Sequence, residues 1–172
     1  MAHSRAVVVA IIIAATSFSG WWLGRHGPGT ASNSNPPAGS RFDALVTRVV
    51  DGDTVHVRTA KGDDTVRLLG VNTPETHHPT KPVECYGPEA SAFTDRVLKG
   101  RRVQLELDVE HRDKYGRLLA SILLDGHRFN DVLLRRGYAR VVIISPNGIH
   151  ARAMVEEALA AKRGRLGLWG AC

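Results

Sequence analysis

Aromatic side chains make up only 6% of this 172-residue chain. So few rings argue against an extended platform on which bases could stack. Cysteine is scarcer, with Cys85 and Cys172 the only two, so a core must stand on packing rather than on staples; the length allows one such domain. No P-loop, Gly-x-Ser-x-Gly or His-Glu-x-x-His motif occurs, which excludes the chemistries those patterns carry. No internal repeat is present, which sets solenoids aside. Charge is also more modest than the formal +6 and the sequence pI of about 9.8 suggest. With Arg5 and Arg25 set aside, 21 basic residues face all 17 acidic ones, a margin of +4. Any grip on a polyanion is therefore local rather than a broad cationic face.

What is present begins with Arg5 and an apolar run from Ala6 to Ala15, followed by Thr16-Ser17-Phe18-Ser19-Gly20 and Trp21-Trp22. A basic start and a short apolar core read as a secretory signal, with Ser17 and Ser19 before the cut. The stretch from Ala6 to Leu23 also reads as a spanning anchor with tryptophans at the interface, and the lack of an Ala-x-Ala site leans that way. Residues 1–24 are thus a signal peptide or signal anchor. Residues 25–40, rich in Gly, Pro, Ser and Asn, form a flexible linker, and residues 41–172 form the domain. Either reading exports the domain, secreted or held by the membrane at the extracellular face. It is expected to act as a monomer.

Within the domain, Phe42, Ala44 and Val46 alternate with Asp43, Leu45 and Thr47 as in a strand. Asp51-Gly52 marks a tight turn before a second strand, Thr54 to Arg58. Gly62-Asp63 gives another turn ahead of a third strand from Thr65 to Val71. Pro88-Glu89 opens a helix with Ala90, Phe93 and Val97 on one face and Gly100 past its end. Val103 to Leu107 and Leu118 to Leu124 supply two more strands. Helices follow at about Asn130 to Arg136 and around Ala151 to Leu159. Three strands, a helix, two strands and two helices predict an α+β domain: a five-stranded barrel with about three helices packed outside.

The chemistry gathers in Arg67-Leu68-Leu69-Gly70-Val71-Asn72-Thr73-Pro74-Glu75, with Asp51-Gly52-Asp53-Thr54 upstream and Asp113-Lys114-Tyr115-Gly116-Arg117 downstream. These motifs offer two guanidiniums, several carboxylates and no cysteine or serine nucleophile. Guanidiniums bind phosphate by two-point contacts, and clustered hard oxygens bind a divalent cation. A carboxylate that activates water would complete a phosphodiester-hydrolysing site. A hairpin turn explains Asp51-Gly52 but does not require Asp53. The pair His77-His78, near Glu75 and Cys85, matches no zinc-ligand spacing, and no acidic residue follows at the spacing of an EF-hand.

The blocks Val50 to Val55, Arg67-Leu68-Leu69 with Thr73-Pro74-Glu75, Tyr86 to Thr94, and Asp113 to Arg117 stand in one register. Through them the chain from about Phe42 to Trp169 resembles the thermonuclease (staphylococcal nuclease-like) family. The resemblance implies an OB-fold barrel and calcium-dependent endonuclease action on DNA and/or RNA, leaving 3′-phosphates. It implies Glu75 as the base that activates water, and Arg67 and Arg117 as the groups that hold the phosphate and its transition state. It further implies Ca2+ bound directly by Asp53 and through water by Asp51, with the Thr73 carbonyl and the residue at position 72. Lys81, Lys114 and Tyr115 match the family's nucleotide-binding surroundings. The alternative is a non-catalytic OB-fold module that binds nucleic acid or protein.

Three departures from the family pattern matter. Asn72 stands where the reference pattern has a calcium-binding aspartate, so a neutral amide replaces a charge. Ile143 and Ser145 stand where the reference pattern has tyrosines, which removes hydrogen-bond donors near the nucleotide tip. Cys85 and Cys172 are absent from the reference pattern; in an exported chain an even pair suggests a disulfide, with a catalytic thiol as the other reading.

Overall fold

In this computed structural model the described residues are 36–76 and 82–172. The residues expected to form a signal or anchor, the expected linker up to residue 35, Lys81 and the His77-His78 pair lie outside them.

Alternating apolar residues form the strands, and their buried halves point one way. β1 (Arg41–Asp51) turns directly into β2 (Thr54–Thr59), which turns into β3 (Gly62–Leu68). α1 (Gly87–Leu98) then leads to β5 (Arg102–Arg112) and β6 (Leu118–Leu124). The strand order is β3-β2-β1-β5-β6, and a parallel pairing of β3 with β6 closes the barrel. This is the expected α+β OB-fold barrel. Register shifts at Val46/Arg48 and Val49/Asp51 in β1, and between Leu107 and Arg112 in β5, supply the bends that closure demands.

Val46, Val55, Val57, Val66, Leu105 and Ile122 fill the interior with no exposed surface. Each such aliphatic side chain contributes on the order of 1.5–3 kcal/mol by leaving water. α1, α2 (Phe129–Arg135) and α3 (Ala151–Arg163) cover the outside, sharing Phe93, Leu98, Phe129, Leu133, Leu134, Met154 and Ala158 with that core. A short α4 (Leu168–Ala171) ends the chain.

Two details differ from the sequence reading. The turn before β3 falls at Ala60-Lys61, with Gly62 already paired to Thr59. The apolar run Thr65 to Val71 is not one strand. It breaks at Gly70, whose φ is +75° and where a Cβ would lie 2.1 Å from the Met154 sulfur. The chain resumes as β4 (Val71–Asn72), paired antiparallel with β8 (Arg140–Val141) in a separate small sheet. β7 (His127–Arg128) is a further two-residue strand, against β6.

Candidate active site

The site starts in the β1–β2 turn. Asp51 pairs with Thr54 across it, and Asp51 Oδ1 accepts from the Asp53 N–H at 3.1 Å. Asp53 is buried, and its Oδ2 accepts from both the N–H (2.8 Å) and the hydroxyl (3.0 Å) of Thr73. Thr73 comes this close because residue 52 has no side chain. A Cβ there would lie 2.6 Å from Thr73 Cγ2. α1 holds the turn from below, as the buried Thr94 hydroxyl donates to Gly52 O at 2.8 Å. Gly52 and Thr94 were not singled out for these roles by the motif; only the packing shows them.

Arg67, opposite Thr54 in the β2–β3 ladder, reaches into the same cluster. Its Nη1 donates to the carbonyls of Leu68 (3.0 Å) and Val71 (2.9 Å). Its Nη2 donates to Asn72 Oδ1 at 3.1 Å and lies 3.2 Å from Asp53 Oδ2. The fold at Gly70 makes this possible by turning residues 71 and 72 back towards the strand they left.

Arg117 precedes β6, and the parallel register pairs Val66 with Leu118 and Arg67 with Leu119. Arg67 and Arg117 therefore lie at the same end of this seam, two positions apart in register, each next to a buried residue, Val66 and Leu118. Arg117 Nε and Nη2 both bond Asp113 Oδ2, at 2.8 and 2.7 Å. Burial alone would raise the Asp113 carboxyl. Hydrogen bonds from the Arg117 side chain and from the N–H groups of Arg117 and Tyr115 outweigh burial and hold it below the usual carboxylate range. Tyr115 is 72% exposed, with Arg117 and Lys114 both over its ring, at 5.4 and 5.1 Å.

Glu75 follows Thr73 across Pro74. Its Oε1 accepts from the Thr76 N–H at 2.8 Å. Its own N–H donates to Glu84 Oε2 at 3.2 Å, and Glu84 N–H donates back to Glu75 O at 2.9 Å. Gly87 backs this loop, since a Cβ there would lie 3.0 Å from Glu75 O and 3.1 Å from Pro74 O. Cys85, next to Glu84, is bonded to Cys172. That settles the pair as a disulfide and removes a catalytic thiol or a Cys85 metal ligand.

Among the described residues no group of three or more His, Cys, Asp or Glu side chains could by itself hold a metal. The turn still carries surplus negative charge. Burial first, then the charge of Asp53, push the Asp51 carboxyl up to about 6. Two adjacent carboxylates, an amide oxygen and a backbone carbonyl are hard donors, so the set fits calcium rather than a softer metal. A large surface hollow lies elsewhere, towards the β2–β3 turn, lined by Lys61, Asp63, Glu110 and Arg112 among others, and contains no proposed site residue.

The family model described as "Staphylococcal nuclease homologue" matches residues 65–171. The chain belongs to the staphylococcal nuclease family. It is 44% identical over 126 residues to the thermonuclease of Staphylococcus intermedius, covering 73% of this chain and 74% of that one. It is 36% identical over 166 residues to the thermonuclease of Staphylococcus hyicus, covering 95% and 93%. To the endonuclease YncB of Bacillus subtilis it is 40% identical over 129 residues, covering 74% and 61%. The protein is accordingly an enzyme of the nuclease class, and its substrate is nucleic acid.

Proposed function

We propose that this nuclease is a calcium-dependent endonuclease that hydrolyses DNA and/or RNA and leaves 3′-phosphates. The observation that carries this reading is the Asp53 cluster. One buried carboxylate gathers Thr73, Arg67 and the Asp51 turn, at the β3–β6 seam that Arg117 immediately precedes.

Asp51, Asp53, Asn72 and the Thr73 carbonyl would hold the calcium ion, which when bound offsets phosphate charge. Arg67 and Arg117 donate to the non-bridging phosphate oxygens, whose charge grows as the attacking oxygen adds. Arg67 is aimed by its four acceptors and Arg117 by Asp113 and Tyr115. Glu75 accepts a proton from the water whose oxygen bonds to phosphorus. The bond from phosphorus to the 5′-oxygen breaks, that oxygen gains a proton, and the phosphate stays on the 3′-oxygen. Lys81, Lys114 and Tyr115 contact the nucleotide beside the reacting phosphate.

The disulfide supports export, since such bonds persist in oxidising compartments; whether the leader is cut or anchors the chain is decided by the mass of the mature protein. Incubating purified protein with single-stranded DNA, duplex DNA and RNA, with calcium or a chelator, tests the activity. Cleavage that needs calcium and falls roughly 10²–10⁴-fold in kcat for Glu75→Gln is expected. Binding without cleavage, indifferent to calcium, would instead assign a non-catalytic OB-fold module.

A further inference from the structure

Half of the lysines and arginines among the described residues lie within 4.0 Å of a carboxylate, from Arg41 on Glu106 to Arg152 on Glu156. Of the other half, Arg96, Arg136, Arg140 and Lys162 are all exposed and are set apart by their surroundings. Each stands over an aromatic ring instead. Arg96 and Arg136 lie 5.5 and 5.3 Å from the Phe93 centroid. Arg140 and Lys162 lie 5.7 and 5.4 Å from Trp169. A ring face steadies a cation without consuming its N–H donors, whereas a carboxylate consumes both donors and charge.

Backbone ties make the two pairs one surface. Leu168 N–H donates to Gly137 O at 2.9 Å, which places Trp169 beside the turn that follows Arg136. Tyr138, next along, stacks on Phe93 with centroids 4.4 Å apart. A second tie leads to the active site. In the β4–β8 pair Arg140 is directly opposite Asn72, and directly opposed residues of an antiparallel pair share a face. Asn72 is bonded to Arg67. Going the other way, Glu89 lies seven residues before Arg96 on the same face of α1.

We propose that Arg140 and Lys162, continued by Arg136 and Arg96, form a phosphate track for the nucleic-acid strand that flanks the scissile phosphate. The proposal rests on the nuclease reading above. Such a track reads no sequence; it lengthens the footprint beyond the reacting nucleotide and makes binding salt-dependent. It also supplies what the small net charge left unassigned, a local rather than a general cationic face.

The test uses the purified protein, its Arg140→Gln/Lys162→Gln double variant and the charge-preserving Arg140→Lys/Lys162→Arg variant. Substrates are single-stranded DNAs of four and twenty nucleotides in calcium. The glutamine variant should keep its kcat and its KM for the short substrate, and show a KM raised about tenfold for the long one, or ~1.4 kcal/mol. Its salt dependence on the long substrate should be shallower by roughly 0.7 log units per lost contact. The charge-preserving variant should behave as wild type. Equal loss on both lengths, or none on either, would overturn the track. If the wild type cleaves neither length, the nuclease reading fails, and the track is judged alone by anisotropy of a labelled twenty-mer in chelator. Weaker binding by the glutamine variant supports it, and equal binding overturns it. Tighter wild-type binding to polyglutamate than to DNA at the same salt would also overturn it, by assigning the face to an acidic protein.

Discussion

Asn72 engages Arg67 through its amide oxygen, at 3.1 Å. An aspartate there would keep that bond and add a negative charge beside Asp51 and Asp53. Calcium affinity follows ligand charge, so Asn72→Asp should lower the calcium concentration for half-maximal activity by roughly tenfold, about 1.4 kcal/mol. A calcium titration of both proteins checks this, and coincident curves would refute it. Arg117 makes a different point. Its planar group takes two bonds to one Asp113 oxygen and lies over Tyr115; an ammonium cannot reproduce the planar two-point contact. Arg117→Lys should therefore lose roughly 10²–10³ in kcat, nearly as much as Arg117→Ala should. Near-normal turnover in the lysine variant would defeat that claim. These residues were legible in sequence because motifs name them. The parts of Thr94, Glu84 and Gly87 were not, although Gly87 and Thr94 stand in a matched block, because they are played by a hydroxyl under a turn, a carboxylate on a loop N–H and an absent side chain.

The long alternating strands and the helices with apolar faces could be read from the sequence, since a period of two or of 3.6 needs only a few repeats to show. Two-residue strands have no period, so β4, β7 and β8 could not. β4 was instead absorbed into the apolar run that Gly70 breaks, although that break is what brings Asn72 and Thr73 to Arg67 and Asp53. The Glu75 loop is held by a mixture of devices. Reciprocal bonds between Glu75 and Glu84 close its base, and the adjoining Cys85 is tied to Cys172, 87 residues away. Removing the cross-link in Cys85→Ser/Cys172→Ser should lower unfolding free energy by roughly 2–5 kcal/mol. Urea denaturation followed by circular dichroism measures it; a variant as stable as the oxidised parent would show that the bond holds nothing.

Across the whole molecule, β5 is joined to the segment before α3 by buried polar groups. Asp108 accepts from Ile149 N–H, and Asn147 bonds both backbone groups of Glu110. Glu106 faces Arg41 at 2.6 Å, His150 at 2.7 Å and Arg128 at 4.0 Å. Burial would raise the Glu106 carboxyl, yet bonds from Arg41 and His150 outweigh it and hold the group below its ordinary value of 4.5. A depressed carboxyl stabilises the fold above its unfolded pKa and loses that contribution as pH falls through the folded value. Thermal midpoints should therefore drop on acidification below about pH 4.5, and Glu106→Gln should flatten that drop. Parallel curves for the two proteins would exclude Glu106 as the source.

The bond between Cys85 and Cys172 also divides the chain topologically. Everything from α1 to the C-terminus belongs to one covalent ring, while the β1–β3 hairpins and the Arg67–Glu75 stretch precede it. A protease that nicks an exposed connection within the ring, such as the one around Tyr115, would open the circle without releasing a fragment. The severed ends would stay tethered, held against the barrel by the pairing of β6 with β3, so a nicked molecule would remain a single particle until a reductant reached the sulfurs.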